Sequence, residues 1–224
     1  MTPGSPELRR IVEAALPGCR QQTWMTLVET ARIRRFRSNE YVFRQGEPVP
    51  LNLVIRGHCA FRRTTVEGRQ VTVRIVGPRE LSGFTSIASI QASGDLIALT
   101  DCEIATWSGK AGRQLAAADP AFALFAIERM ATILNTAIER VDGLVPQGAR
   151  RRVIRILAQH RDLFFAQPVV LSRTHLPNLV GTSREMTGRV LRELEREGTI
   201  ARIGRSGLRL LRPDRLEADA SDAA

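Results

Sequence analysis

Residues 181–198 read GTSREMTGRVLRELEREG. The stretch opens on a Gly-Thr turn, offers Ser183 as an N-cap, runs at helical spacing, and stops at Gly198. A serine oxygen in that place accepts the free backbone N–H groups of a first helical turn, and glycine suits the position just past a helix end. Met186, Val190, Leu191 and Leu194 form the stripe to be buried. Arg184, Glu185 and Arg189 project together from the opposite side near the start, with Arg192 one turn further on. The plainer reading is a solvated face with an i,i+4 pair such as Glu185 with Arg189.

The flanking sequence favours more than that. Ser172–Val180 has the pattern of a short helix, and Gly181-Thr182 supplies a tight turn into the longer one: a helix-turn-helix. Pro177 falls inside the first helix, so that helix is expected to start late, near His175. After Gly198, Ile200–Ile203, the turn GRSG and Leu208–Leu211 read as a two-stranded hairpin. In the first turns of a recognition helix, side chains reach base edges. Arginine bonds guanine O6 and N7 together, and a carboxylate accepts from the amino group of cytosine.

Charge agrees. The chain of 224 residues has a net charge of +10, and residues 147–217 alone hold 15 Arg against 7 acidic side chains. A polyanion is the natural partner for such a segment. Ser172, Thr182, Ser183, Arg192, Arg205 and Ser206 are expected to touch phosphate or support the base-reading residues. Arg150, Arg151 and Arg152 are expected to steer toward phosphates. His160 and His175 lie in the same region, where exposure or a phosphate contact is a plainer role than metal binding.

Upstream, residues 119–144 begin with Asp-Pro, a cap followed by proline at the first helical position. Ile127, Met130, Leu134, Ala137, Val141 and Leu144 step alternately by three and four, with Ile133 and Ile138 widening the stripe. That heptad spacing fits a two-helix seam between identical chains, while a core-facing helix needs a similar stripe. Pro146-Gln147-Gly148 then breaks the pattern as a hinge. Past the hinge, Val153–Ala158 reads as a helix and Val169–Leu171 as a short strand. Before the seam, residues 33–107 contain short β-rich runs between glycines, the signature of a sandwich or barrel, and residues 7–33 have helical spacing.

Cys19, Cys59 and Cys102 are far apart, which argues against a disulfide framework or a thiolate metal site and for small buried hydrophobes. No unbroken apolar run reaches bilayer length and no leader pattern opens the chain, so a soluble, cytoplasmic protein without membrane contact is expected.

TSREMTGRVLRELEREG resembles the recognition helix of the Crp/Fnr family of transcriptional regulators, whose pattern is S-R-E-T-V-x-R-x-L-x-x-L. The resemblance extends over most of the chain. Gly46, Gly57, Gly68, Gly77 and Gly83 punctuate what looks like a cyclic-nucleotide-binding jelly roll, with VGPREL and ALTDCEI at two of its characteristic segments. It implies an α+β protein. Residues 1–118 would form a jelly roll (double-stranded β-helix), 119–146 a dimerisation helix and 147–217 a winged helix-turn-helix with GRSG at the wing tip; residues 218–224, acidic and alanine-rich, are expected on composition to be a disordered tail. It further implies that Arg184, Glu185 and Arg189 read a TGTGA-type half-site, that a homodimer binds a palindrome, and that RNA polymerase is a partner if the protein activates.

The sensing site departs from the family. Where cyclic-AMP binders carry a ribose-holding Glu and a phosphate-pairing Arg, this chain has Phe84 and Ala92. A phosphate monoanion without its guanidinium is poorly held. Phe84, Thr85, Ala92 and Ser93 therefore point to an unknown small-molecule effector in a more apolar pocket, or to a pocket filled by side chains. Cys19 alone near the N-terminus does not suit the family's iron–sulfur cluster. His58-Cys59 is a conceivable haem ligand pair, though packing is the plainer role. Two other classes compete, a cupin-type metalloenzyme, for which His58 is the sole strand histidine, and a DNA-binding protein without sequence preference. No catalytic residue is expected.

Overall fold

The computed structural model describes residues 2–221 except Glu67, Arg69 and residues 143–147, with the side chains of 139–142 and 221 also left aside. Apart from residues 70–72, the chain divides into two compact units, one ending at residue 137 and one beginning at 138.

The first unit opens with helices α1 (Pro6–Ala15) and α2 (Gln21–Thr30). Eight strands follow: β1 (Arg32–Phe36), β2 (Tyr41–Phe43), β3 (Leu51–Arg56), β4 (Cys59–Thr64), β5 (Gln70–Val76), β6 (Leu81–Ser82), β7 (Asp95–Ala98) and β8 (Cys102–Trp107). They form two four-stranded sheets, ordered β1-β8-β3-β6 and β2-β7-β4-β5. Two such sheets face to face make the expected jelly roll. Strand β3 shows how the layers stack, since successive side chains point to opposite faces. Leu51, Leu53 and Ile55 pack outward with Trp107, Leu8, Leu27 and Phe122, while Val54 faces inward with Phe43, Cys59, Leu96 and Ile104. Its first five residues are therefore all buried. Each large side chain so enclosed contributes about 1.5–3 kcal/mol.

Helix α3 (Gly109–Ala118) and helix α4 (Pro120–Asp142), the latter as far as Ala137, close the unit. Asp119 caps α4 as expected, its Oδ1 accepting from Ala121 N at 3.0 Å. Helix α4 has two apolar sides. Phe122 (0% exposed) and Ala126 pack onto the roll, whereas Leu124, Ile127, Met130, Leu134 and Ile138 lie exposed. Over Pro120–Ile138 the helix is long and apolar enough, by length and composition, for a bilayer span, with mean hydropathy 1.4. A count of unbroken apolar runs misses this because Glu128 and Arg129 interrupt it. Of the seam positions, Leu144 lies outside the described residues, as do Pro146 and Gln147 of the hinge, and the Val141 side chain is not described.

The second unit contains α5 (Ala149–Gln159), α6 (Arg161–Phe164), α7 (Leu176–Val180), α8 (Arg184–Arg196), strands β9 (Ile200–Ile203) and β10 (Gly207–Leu210), and α9 (Pro213–Ser221). Its core collects Val153, Leu157, Phe164, Leu171, Leu176, Leu194, Leu208 and Leu216, all buried. Two expectations need correction. Val169–Leu171 is not a strand: it is irregular backbone tied back to α6 by Leu171 N donating to Leu163 O, and no partner strand runs beside it among the described residues. The disordered tail from residue 218 gives way to helix α9 as far as Ser221. Leu216 anchors that helix, and Asp219 and Glu217 face Arg150 and Arg161. Charge composition alone hid that anchor.

Candidate nucleic-acid interface and sensor cavity

Helix α7 begins at Leu176, with His175 before it and Pro177 in its first turn, where no helical N–H bond is lost. Gly181 ends it at φ 70°, a left-handed turn open to glycine, and so aims α8 away from α7. Ser183 caps α8, its Oγ accepting from Met186 N at 3.1 Å. The buried side consists of Thr187, Val190, Leu191 and Leu194. Met186 is only half-buried, and Thr187 takes its place with its hydroxyl donating to Ser183 O at 2.9 Å.

Arg184, Glu185, Arg189 and Arg192 are exposed on one side of α8, as expected. Glu185 and Arg189 sit 3.7 Å apart, with side chains 84% and 57% exposed. A pair so open contributes about 0–1 kcal/mol and yields readily to another partner. The other acidic residues of α8 and its C-cap Glu197 are engaged elsewhere, Glu193 lying 3.9 Å from Arg150. Glu197 takes Arg150 at 2.9 Å and Arg215 at 3.4 Å, and Glu195 takes Arg202 at 3.1 Å. Arg184, Arg189 and Arg192 thus have only the exposed Glu185 carboxylate among them, which leaves this side of α8 net basic. Arg150, expected to steer toward phosphate, is committed to Glu197, Glu193 and Asp219 instead.

A residue outside the sequence expectations joins this surface. Arg173 N donates to Ser206 O at 3.0 Å, and its Nη2 donates to Arg205 O at 2.5 Å, fixing the hairpin tip beside α7. With Arg184, Arg192 and Arg202 it borders a recess of roughly 370 Å³ whose floor includes Gly188. A Cβ on Gly188 would meet only Arg192 Nη1, at 3.6 Å. The available signal was the Ser-Arg pair heading the first helix. Arg205 is exposed, and Thr182 and, at the hairpin tip, Ser206 are half-buried. Ser172 is buried: its hydroxyl bonds Thr174 at 2.6 Å and His175 Nδ1 at 3.1 Å, so it organises the helix start.

The second feature lies within the jelly roll. Gly83 stands at φ 85° with Pro50 O so close that a Cβ would lie 2.1 Å away. It turns the chain into a short 3-10 helix, Phe84–Ala88. Phe84 is buried and meets the Phe125 ring edge-on at 6.0 Å. It does not fill the site. Phe84, Thr85, Ala92 and Ser93 come together along a cavity of roughly 360 Å³, with Phe43, Phe61, Val76 and Leu96 and, from α4, Met130, Ile133, Leu134 and Ala137. Ser82 also borders it, and its hydroxyl is buried without a hydrogen-bond partner.

The three cysteines are free and buried. Cys59 and Cys102, distant in sequence, meet in the roll with sulfurs 3.7 Å apart. Among the described residues no three His, Cys, Asp or Glu side chains gather into a metal site.

The sequence matches the cyclic nucleotide-binding domain family over residues 33–119 and the Crp-like helix-turn-helix domain family over 128–219. It is 30% identical over 178 residues to the cyclic AMP receptor protein of Thermus thermophilus, covering 76% of this chain and 80% of the relative. The chain belongs to the Crp/Fnr family. Its fold is similar to FixK2 of Bradyrhizobium japonicum (TM-score 0.73, 21% identity, 84% and 96% of the two chains). It is also similar to the c-di-GMP responsive global regulator CLP of Xanthomonas campestris (TM-score 0.71, 26% identity, 85% and 99%). As a Crp/Fnr protein with a presented recognition helix, it is a DNA-binding transcriptional regulator.

Proposed function

We propose that this regulator works in the cytoplasm as a homodimer that reads a palindromic, TGTGA-like site. The observation carrying this reading is the exposed trio Arg184, Glu185 and Arg189 on the first turns of α8, beside a basic recess and a hairpin. Arg184 and Arg189 suit guanine, Glu185 suits cytosine, and Arg192, Arg173 and the hairpin tip suit phosphate. Dimerisation is supported by the exposed apolar stripe of α4, where Ile127 is 63% and Leu134 62% exposed in the single chain. A second copy of α4 would cover it at heptad spacing.

Control comes from the jelly-roll cavity. Met130, Leu134 and Ala137 belong both to its wall and to the proposed seam, so an occupant touches the dimer helix directly. An effector then acts through its differential affinity for two seam arrangements, which set the separation of the two recognition helices. Cyclic AMP in the usual pose does not suit a site with Phe84 and Ala92 at the ribose and phosphate positions. Nor does haem on His58-Cys59 suit the donor set. The Cys59 thiol turns inward to Cys102, and that hydrogen bond together with burial pushes its pKa up, away from the thiolate a metal requires. RNA polymerase would be a partner only if the regulator activates.

In vitro selection from a randomised duplex library tests the reading. The expected pool has two inverted half-sites with centres about one helical turn, roughly 10 bp, apart. An unsymmetrical or featureless pool contradicts it.

A further inference from the structure

The sensor cavity carries more detail than its apolar walls. Its volume of roughly 360 Å³ corresponds to about a dozen waters at ~30 Å³ each, and so to a ligand of about a dozen non-hydrogen atoms. Most of the lining is aromatic or aliphatic carbon, which rewards an apolar body. Two features of the lining ask for something else. The Ser82 hydroxyl is buried in a residue only 8% exposed and has no partner, a costly arrangement unless a ligand atom completes it. Arg74 also borders the cavity, and it shares the single carboxylate of Glu80 with Arg129, whose Nη2 donates to Glu80 Oε1 at 2.8 Å. Glu80 is further committed to Gly77 N through Oε2 at 3.0 Å. Among the described residues, two guanidinium groups and one carboxylate leave one positive charge uncompensated beside an apolar cavity.

From this juxtaposition we propose that the cavity binds an amphipathic monoanion of about decanoate size. Its hydrocarbon body would lie against Phe84, Ala92 and Leu134, and its anionic head would meet Arg74 and the Ser82 hydroxyl. The proposal rests on the reading of this cavity as the effector site and names the ligand class. An anionic oxygen pair suits the arginine fork, and the serine hydroxyl turns to donate to it. A neutral alcohol of the same length satisfies the walls alone, and a cation of the same length is repelled.

Equilibrium dialysis of the full chain against radiolabelled decanoate is the test. One saturable site per protomer is expected, with 1-decanol and decyltrimethylammonium at least tenfold weaker as competitors. Ser93→Trp, at an exposed rim position, should block binding. Arg74→Gln should weaken decanoate at least tenfold while leaving decanol competition unchanged. Lack of saturable binding, binding untouched by both substitutions, or equal competition by the cation would overturn the proposal. A parallel DNA-affinity measurement separates the two readings. Decanoate that binds without changing DNA affinity sustains the ligand class and contradicts effector control; intact palindrome binding without decanoate uptake overturns the ligand class and leaves the DNA-reading function standing.

Discussion

Glu185 and Arg189 face each other at 3.7 Å across one turn of α8, both largely exposed. A purely structural pair and a base-reading pair look alike in the free protein, but they differ on substitution. If Glu185 reads a base, Glu185→Ala relaxes preference at one position of each half-site and leaves the others intact. The expected loss of discrimination is about 1–3 kcal/mol at that position. Competition binding with single-base duplex variants measures it, and an unchanged preference at every position refutes base reading by Glu185.

Arg173 and Arg192 are assigned to phosphate and act differently. Their removal should weaken binding to all sequences alike and lower the slope of log affinity against log salt by about 1 for each phosphate no longer neutralised. A salt titration of each alanine variant checks this. A sequence-dependent weakening would move that residue into the base-reading set.

Ile127 is exposed on α4, lies outside the sensor cavity, and makes a clean probe of the seam. Ile127→Glu should leave the fold intact and convert dimer to monomer in sedimentation velocity, with loss of palindrome binding. A variant that stays dimeric places the interface elsewhere.

Asp119 ties two helices of the first unit together. Its carboxylate accepts from Thr23 Oγ1 at 2.6 Å and Arg20 N at 2.8 Å, and caps α4 through Ala121 N. Burial pushes its pKa up, but the bonds from Thr23 and the backbone amides outweigh that and hold it below the ordinary range. Since the folded pKa lies below the unfolded value of about 3.9, this stability is present above that pH and lost as pH falls through the folded value. Asp119→Asn should therefore cost about 1–3 kcal/mol at pH 7, with the gap to the parent narrowing below about pH 4. Urea melts across pH report it.

Gly188 sits in the interior of α8 with room for a methyl group. Gly188→Ala is expected to raise stability by about 0.5–1 kcal/mol, read from the urea midpoint.

What the sequence makes legible follows the range of the forces involved. The cap at Ser183, the turn at Gly181 and the late start imposed by Pro177 are local, and residues 172–198 specify them unaided. The substitutions at Phe84 and Ala92 are visible as departures, but the surviving cavity depends on how Phe84 turns onto Phe125, some forty residues away. Strand β1, RIRRF, hides because its arginines face solvent and only Phe36 is fully buried. Helix α3 carries Gly109 and Gly112, one of which packs within reach of Ile87, so its pattern is weak. The Arg173 bond to the hairpin tip and the Arg74-Glu80-Arg129 cluster are tertiary contacts that no local pattern announces. The anchoring of α9 by Leu216 is of the same kind.

The central claim is sequence-specific reading of a palindrome by a dimer. Fluorescence anisotropy of the purified, ligand-free chain on a palindromic TGTGA-type duplex, against a scrambled duplex at the same salt, tests it most directly. Salt is fixed because phosphate contacts alone give affinity to both. At least tenfold tighter binding to the palindrome is predicted, either without additions or once decanoate is present. Equal affinity for the two duplexes under both conditions contradicts it.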